Sequence, residues 1–240
     1  MPHLKELLFE AHPYPRTEYY PFNLPLLSNT KSVDFPAPIT FFAGENGTGK
    51  STILRAICRG CGIHIWEGER RRRYSKSPYE NSLHHFLSIV WTDGSVPGSY
   101  FSSEIFRSWA EALDDFASSD PGMLKYFGGS SLMSQSHGQS LLSFFRSRYS
   151  IRGLYLLDEP ETALSPRSQI ELIRILLEAS SRGDAQFIIA THSPILLACP
   201  GAAIYSFDRA PLTTVSYEET EYYKVYRDFM SNRERYLVQK

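Results

Sequence analysis

The 240-residue sequence has few cysteines, no long apolar run and almost no net charge, and each of these absences excludes a class of protein. Its three cysteines, Cys58, Cys61 and Cys199, cannot build a disulfide framework, and an odd number fits a reducing compartment. No stretch approaches the roughly 18–20 apolar residues that a membrane-spanning helix needs. A formal net charge of −1 gives no global field that would attract nucleic acid or anionic lipid. We therefore expect a soluble, cytoplasmic protein without direct membrane insertion.

Other signals are missing as well. The segment 1–10 has no basic region followed by an apolar run, so no secretory signal is expected. Cys58 and Cys61 have C-x-x-C spacing, but no further ligands lie nearby, which favours two small residues at a helix end over a metal or redox site. Neither repeats nor the heptads of a long coiled coil are visible. The composition, with 42% hydrophobic and 21% charged residues, suits one globular domain with or without a small subdomain.

The clearest motif that is present is a glycine-rich loop, here called the phosphate loop. It matches G-x-x-x-x-G-K-[ST], between an apolar strand expected over residues 39–43 and a helix expected over residues 51–59. Glycines let backbone N–H groups turn toward phosphate oxygens, and a helix N-terminus adds partial positive charge there. The motif predicts that Lys50 reaches the β and γ phosphates of ATP and that Ser51 ligates Mg²⁺. The residues assigned to nucleotide binding are Gly44, Glu45, Asn46, Gly47, Thr48, Gly49, Lys50, Ser51 and Thr52.

Two later apolar runs also end in polar residues. Residues 154–157 lead into Asp158 and Glu159, and residues 187–190 lead into Thr191 and His192. Strands of this kind deliver polar side chains to the carboxyl edge of an open α/β sheet, where ligands bind. We expect Asp158 to hold Mg²⁺, Glu159 to act as general base on the attacking water, and His192 to contact the γ-phosphate.

Between these motifs, residues 134–140 read Ser-Gln-Ser-His-Gly-Gln-Ser and are here called the signature segment. The order of phosphate loop, S-x-G-Q, acid pair and Thr-His resembles that of ABC-type ATPases, whose signature is L-S-G-G-Q. The resemblance implies that this segment opens a helix that grips the γ-phosphate held by the other subunit. That role carries over to Ser136, His137, Gly138 and Gln139. Gln135 replaces the family's Leu, and His137 replaces its first Gly and leaves less room; a binding-free Ser/Gly/Gln-rich loop is the alternative.

The chain is more closely similar to small bacterial "AAA family" ATPases that are single ABC-type cassettes. Nearly the whole length takes part, including Tyr20-Pro21-Phe22, the phosphate loop, Asp158-Glu159-Pro160-Glu161 and Thr191-His192-Ser193-Pro194. This resemblance implies an α/β P-loop fold, with a mostly parallel central sheet flanked by helices and a small mixed or helical insert. We assign residues 1–59 and 132–216 to the nucleotide-binding core, about 60–131 to the insert, and 217–240 to a C-terminal helical extension.

Apolar spacing predicts helices over residues 79–90 and 104–117 within the insert, and an amphipathic helix over residues 169–181. A short strand is expected near the N-terminus. The C-terminal extension is expected to dock on the core or at a dimer face.

Three assignments rest on less specific patterns. ABC cassettes carry a glutamine between phosphate loop and signature; Glu104 stands in its place, and the resemblance gives it contacts to Mg²⁺ and the attacking water. Tyr20 and Phe22 are candidates for stacking on adenine, with core packing as the alternative. The run Arg70–Arg73 is either a nucleic-acid contact or a solvated loop that touches nucleotide phosphates.

The resemblance implies an ATPase that binds ATP and Mg²⁺ and works as a head-to-tail homodimer with two ATP molecules at the interface, coupled to an unknown protein partner. Two alternatives remain open: the nucleotide-binding subunit of a membrane transporter, and a nucleic-acid-associated switch controlled by ATP. Transporter cassettes usually follow the signature with an arginine-containing helix, whereas residues 140–145 here read Ser-Leu-Leu-Ser-Phe-Phe. That difference argues against the transporter reading.

Overall fold

Two β-sheets organise the chain, which a computed structural model describes over residues 2–10, 14–66, 77–119, 122 and 137–237. The larger sheet has six strands in the order β5-β6-β7-β3-β8-β9. These strands are β3 (Ile39–Ala43), β5 (Gly98–Ser102), β6 (Gly153–Asp158), β7 (Ala185–Thr191), β8 (Ala203–Ser206) and β9 (Thr213–Thr214). All neighbouring pairs are parallel except β8 with β9. The mostly parallel central sheet expected from the sequence is confirmed.

The smaller sheet is antiparallel and has the order β2-β1-β4. It consists of β1 (Leu4–Phe9), β2 (Ser32–Asp34) and β4 (Leu87–Trp91), so the short N-terminal strand is confirmed. Leu4 and Leu7 are fully buried and belong to the same apolar cluster as the helix that follows the phosphate loop. The smaller sheet therefore covers one side of that helix.

The described residues contain eight α-helices, and they cover both faces of the larger sheet. They are α1 (Pro25–Asn29), α2 (Lys50–Gly60), α3 (Ser103–Ser119), α4 (His137–Arg148), α5 (Pro166–Ser181), α6 (Pro194–Leu197), α7 (Glu221–Ser231) and α8 (Arg233–Leu237). The helices predicted over residues 104–117 and 169–181 are confirmed as α3 and α5, and the helical C-terminus as α7 and α8. No helix in these parts of the chain is long and apolar enough to span a bilayer.

Strands β3, β6 and β7 are buried on both faces, which explains their continuous apolar sequences. Phe42, Leu156 and Ile188 pack in the cluster on the α2 side. The neighbouring residues Phe41 and Leu157 pack on the other side, in the cluster formed with α3, α4 and α5. Because successive side chains of a strand point to opposite faces, each central strand joins both halves of the core.

The helix predicted over residues 79–90 is wrong. Residues Leu83–Phe86 form one 3₁₀ turn, and the chain then enters β4. Strand β4 pairs with β1 in a register that places Phe9 opposite Leu87 and Leu7 opposite Ile89. Pairing with a strand about eighty positions earlier thus overrides the local helical spacing.

The range assigned to an insert, about 60–131, contains β4 and β5, and these strands lie at the edges of the smaller and the larger sheet. The proposed division of the chain stays a prediction. Cys58 lies in α2 and Cys61 directly follows that helix; burial raises the pKa of both thiols to about 12. Thiols with such pKa values stay protonated and unreactive near neutral pH. The run Arg70–Arg73 lies outside the described residues.

Parallel pairing brings the predicted motifs to one edge of the larger sheet. The carboxyl ends of the central strands are in register, with Ala43 beside Thr191 and Asp158 beside Ala190. Ser102, the last residue of β5, lies beside Asp158. The residues that follow these four strands therefore emerge together, at the edge where open α/β sheets bind ligands.

Candidate functional site

The phosphate loop connects β3 to α2 and is shaped by close backbone packing. A Cβ atom on Gly44 would lie 2.9 Å from Cβ of Phe207, so no larger residue fits there. Gly49 has φ of 102°, a conformation that favours glycine, and directly precedes α2. Between them Glu45, Asn46 and Gly47 are exposed. The loop thus opens to solvent above the N-terminus of an eleven-residue helix, as an anion site requires.

Lys50 is the buried cation of this loop. Its Nζ donates hydrogen bonds to the carbonyl oxygens of Gly44 at 2.5 Å and Glu45 at 2.9 Å. Burial lowers the pKa of the ammonium group, and nearby carboxylates, led by Glu159 and Asp208, oppose that shift. The carbonyl contacts hold the side chain folded back over the loop, where phosphate oxygens can replace them.

Asp158 is the last residue of β6, and its carboxyl group accepts hydrogen bonds from two hydroxyl groups. Ser51 Oγ donates to its Oδ1 and Tyr100 Oη donates to its Oδ2, both at 2.7 Å. Burial raises the pKa of this carboxyl, while the two hydrogen bonds oppose the rise. A hydroxyl and a carboxylate oxygen side by side are hard donors that suit Mg²⁺, which usually takes one or two protein ligands and completes its shell with phosphate and water. Ser51 and Asp158 therefore fit the ion expected from the sequence.

Glu104 lies in the first turn of α3, directly after β5, on the same edge of the sheet. Its carboxylate is exposed and faces Arg55, with 4.0 Å between Oε2 and Nη2. Arg55 also lies 4.0 Å from Asp158 and donates to Tyr100 Oη at 3.0 Å. A guanidinium group thus lies close to Asp158 and Glu104, two of the three residues assigned to Mg²⁺.

Glu159 and His192 face each other across the carboxyl ends of β6 and β7. Glu159 has φ of 49° and ψ of 55°, a left-handed conformation that costs a non-glycine residue energy and is concentrated at functional sites. Its Oε1 lies 3.2 Å from Nε2 of His192, without the alignment of a hydrogen bond. Burial, followed by the charge of Lys50, lowers the pKa of the imidazole. An acidic side chain and a neutral histidine therefore lie together beside the phosphate-loop lysine.

A second acidic residue, Glu161, holds the backbone of His192 in place. Glu161 Oε1 accepts a hydrogen bond from the backbone N–H of His192 at 2.6 Å. Burial raises the pKa of the Glu161 carboxyl, and this hydrogen bond opposes the shift. The residue therefore ties the turn after β6 to the turn after β7.

The described part of the signature segment begins at α4. The backbone of His137 opens that helix, Gly138 is half-buried and Gln139 is exposed. A Cβ atom on Gly138 would meet Ala163 O at 3.6 Å, Ser168 Oγ at 3.8 Å and Leu164 Cδ2 at 4.0 Å. These neighbours belong to the loop after the acid pair and to α5. Gln135 and Ser136 lie outside the described residues, as does the side chain of His137.

The two aromatic candidates for adenine stacking differ in position. Phe22 is 4% exposed and packs against Tyr14 and Phe86, so it is a core residue. Tyr20 lines a cavity of about 230 Å³ beside Ser51, Thr52 and Arg55 of α2, and its hydroxyl is hydrogen-bonded to Thr52 Oγ1. Only Tyr20, of these two, has a surface available to a ligand.

Four site residues were missed by the sequence reasoning: Arg55, Tyr100, Asp208 and Tyr222. Asp208 Oδ1 accepts from the backbone N–H of Glu45 at 2.7 Å and so braces the phosphate loop. Tyr222 donates to Gly44 O at 2.8 Å and is hydrogen-bonded to His192 Nδ1. Tyr100 alone had a local signal, because it stands two positions before the end of a strand that leads to Glu104. The other contacts span long sequence separations.

Two family models match the chain. One, described as "AAA domain, putative AbiEii toxin, Type IV TA system", matches residues 118–198, and another, described as "AAA domain", matches residues 22–87. The first range contains the signature segment, the acid pair and His192, and the second contains the phosphate loop.

Curated proteins and solved structures give a consistent picture. The chain is 28% identical over 169 residues to the cytochrome c biogenesis ATP-binding export protein CcmA of Bartonella quintana, covering 67% of this chain and 77% of that protein. It is 29% identical over 172 residues to the hemin import ATP-binding protein HmuV of Pseudomonas entomophila, covering 64% and 66%. Its fold resembles an SmcHead bound to the C-winged helix domain of ScpA, with a TM-score of 0.50, 14% identity, and coverage of 91% of this chain and 99% of that chain. Together with the strand, loop and helix that hold Lys50 and Ser51 at the sheet edge, these matches identify the chain as an ABC-type P-loop ATPase.

Proposed function

We propose that this ATPase works as a head-to-tail homodimer in which each of two ATP molecules lies between the phosphate loop of one copy and the signature segment of the other. One observation carries the proposal. The three nearest neighbours of a Cβ atom on Gly138 belong to Ala163, Leu164 and Ser168, and none belongs to the phosphate loop. Gln139 is exposed in the first turn of this helix, on the surface that we propose faces a phosphate on a second copy.

Within one site, each residue has a distinct role. Lys50 Nζ exchanges its two carbonyl partners for oxygens of the β and γ phosphates. The backbone N–H groups of residues 44–51 and the N-terminus of α2 bind the same phosphates. Ser51 and Asp158 would hold Mg²⁺, which would neutralise charge on the phosphate oxygens. Glu159, whose side chain is 40% exposed, accepts a proton from the attacking water, and His192 orients the γ-phosphate.

We propose that Glu104 takes the place of the glutamine found in ABC cassettes, with Arg55 beside its carboxylate. The guanidinium beside its carboxylate balances the charge of the two acids. Glu104 then contacts the attacking water or the Mg²⁺ shell from the end of β5. For the adenine we propose Tyr20, because it lines the cavity next to Thr52.

The first test is the variant Glu159→Gln. It keeps the shape and an oxygen acceptor but removes the base, so we expect ATP binding to persist, turnover to fall by about 100-fold or more, and an ATP-bound dimer to accumulate. Multi-angle light scattering with and without ATP measures the dimer. Lys50→Ala is the matched control, because it should lose ATP affinity and dimerisation together. Only monomer at saturating ATP would contradict the dimer mechanism.

The partner of the ATPase is the second question. CcmA and HmuV are named as export and import ATP-binding proteins, which favours the nucleotide-binding subunit of a transporter as an alternative. In our proposal the enzyme acts in the reducing cytoplasm on another protein. Affinity purification of Glu159→Gln with ATP separates the two, since a membrane subunit would favour the transporter. Salt-sensitive nucleic-acid binding that is lost on substitution of Arg70–Arg73 would instead favour a nucleic-acid-associated switch.

A further inference from the structure

The C-terminal helix α7 enters the site through one side chain, Tyr222. Its hydroxyl donates to Gly44 O at 2.8 Å and is hydrogen-bonded to Nδ1 of His192. The two rings meet edge to face, with centroids 5.4 Å apart and an interplanar angle of 87°. We propose that Tyr222 is a positioning residue that fixes the ring orientation of His192 and links α7 to the phosphate loop. This inference rests on the proposed role of His192.

The hydrogen bond with Tyr222 occupies one of the two ring nitrogens of His192, Nδ1. The other, Nε2, lies 3.2 Å from Oε1 of Glu159 and is the nitrogen left to contact the γ-phosphate. Tyr222 thus determines which nitrogen is presented to the site.

The surroundings keep this arrangement intact. Burial, together with the negative charges of Glu45, Asp208, Glu161 and Glu159, raises the pKa of Tyr222 above its usual value. The phenol therefore stays protonated near neutral pH and keeps its single proton for Gly44 O. When Lys50 moves to the phosphates, Tyr222 remains a donor to this buried carbonyl.

The sequence before Tyr222 holds α7 in place. Thr220 is buried and caps the helix, since its Oγ1 accepts from the backbone N–H of Tyr223 at 3.3 Å. Ser216 and Glu219 form a capping box on the preceding 3₁₀ turn. Farther along α7, Val225, Tyr226 and Met230 are exposed. The start of the helix is therefore fixed in the site, whereas these later side chains face solvent.

The test is a double-mutant cycle on ATP turnover. Tyr222→Phe keeps the ring and removes the hydroxyl, so we expect kcat to fall by about tenfold while KM changes by less than about twofold. His192→Ala should reduce kcat further. If Tyr222 acts through His192, the double variant should match His192→Ala, because the effects of coupled residues do not add. Tyr226→Phe, on the exposed face of the same helix, is the control and should match the wild type.

Each contrary result has a separate meaning. Wild-type kcat in Tyr222→Phe with a low kcat in His192→Ala overturns only this inference. If the fold losses in kcat of the two single variants multiply in the double variant, the inference is also overturned, because the tyrosine then acts independently of the histidine. Unchanged turnover in His192→Ala refutes the proposed role of the histidine and this inference with it.

Discussion

At the scale of single residues, Glu161 shows how the fold accommodates an acid behind the site. Its Oε1 accepts from the backbone N–H of His192, yet burial raises the pKa of the carboxyl. Such a group binds more protons in the folded than in the unfolded chain at pH values between the two pKa values. The stability of the folded chain therefore falls as pH rises from the unfolded pKa through the raised folded pKa, and the full cost is present above both.

Glu161→Gln keeps an oxygen acceptor for this N–H and removes the titrating group. We therefore expect the variant to gain stability relative to the wild type as pH rises above the usual pKa of a glutamate, with about 1.4 kcal/mol for each unit of pKa shift. Urea unfolding at several pH values gives the difference. Glu178→Gln, which replaces an acid that is 77% exposed on α5, should show much less pH dependence. A stability difference that does not vary with pH would contradict the expected cost of the buried charge.

At the scale of elements, α5 begins with a side-chain cap near the point where α4 packs against it. Ser165 Oγ accepts from the backbone N–H of Ser168 at 3.2 Å, and Pro166 is the first helical residue. Ser165→Ala should lower the free energy of unfolding by about 1 kcal/mol, because one helix N–H loses its acceptor. Ser181→Ala at the other end of α5 is the control, and equal losses from both variants would argue against a capping role.

Elements with strong local patterns could be predicted from the sequence, and elements decided by distant pairing could not. Strands β3, β6 and β7 are continuous apolar runs, and the phosphate loop defines the start of α2. Apolar spacing predicts a helix over residues 79–90, but residues 87–91 form β4 and pair with β1 instead. The same distinction applies to the site. Motif residues such as Lys50 and Asp158 were found by local sequence, whereas Tyr222 lies 178 positions from Gly44 and no short pattern joins them.

At the scale of the whole molecule, the position of α4 supports the proposal that a single copy is incomplete. The site at the sheet edge holds Lys50, Ser51, Asp158 and Glu159, while Gly138 lies beside the loop after the acid pair. A head-to-tail dimer with two-fold symmetry would place the start of each α4 opposite the phosphate loop of the other copy and make two equal sites.

This geometry can be tested by mixing two inactive variants. Lys50→Ala removes the phosphate-loop cation but leaves α4 intact, and Gly138→Asp places a negative side chain where a phosphate should bind but leaves the phosphate loop intact. In a mixed dimer, one site combines the altered phosphate loop with the altered α4, and the other combines the intact phosphate loop with the intact α4. Each mixed dimer therefore has one intact site, so ATP turnover of the mixture should exceed that of either variant alone. ATP turnover that stays at the level of the separate variants would mean that each copy builds its site alone.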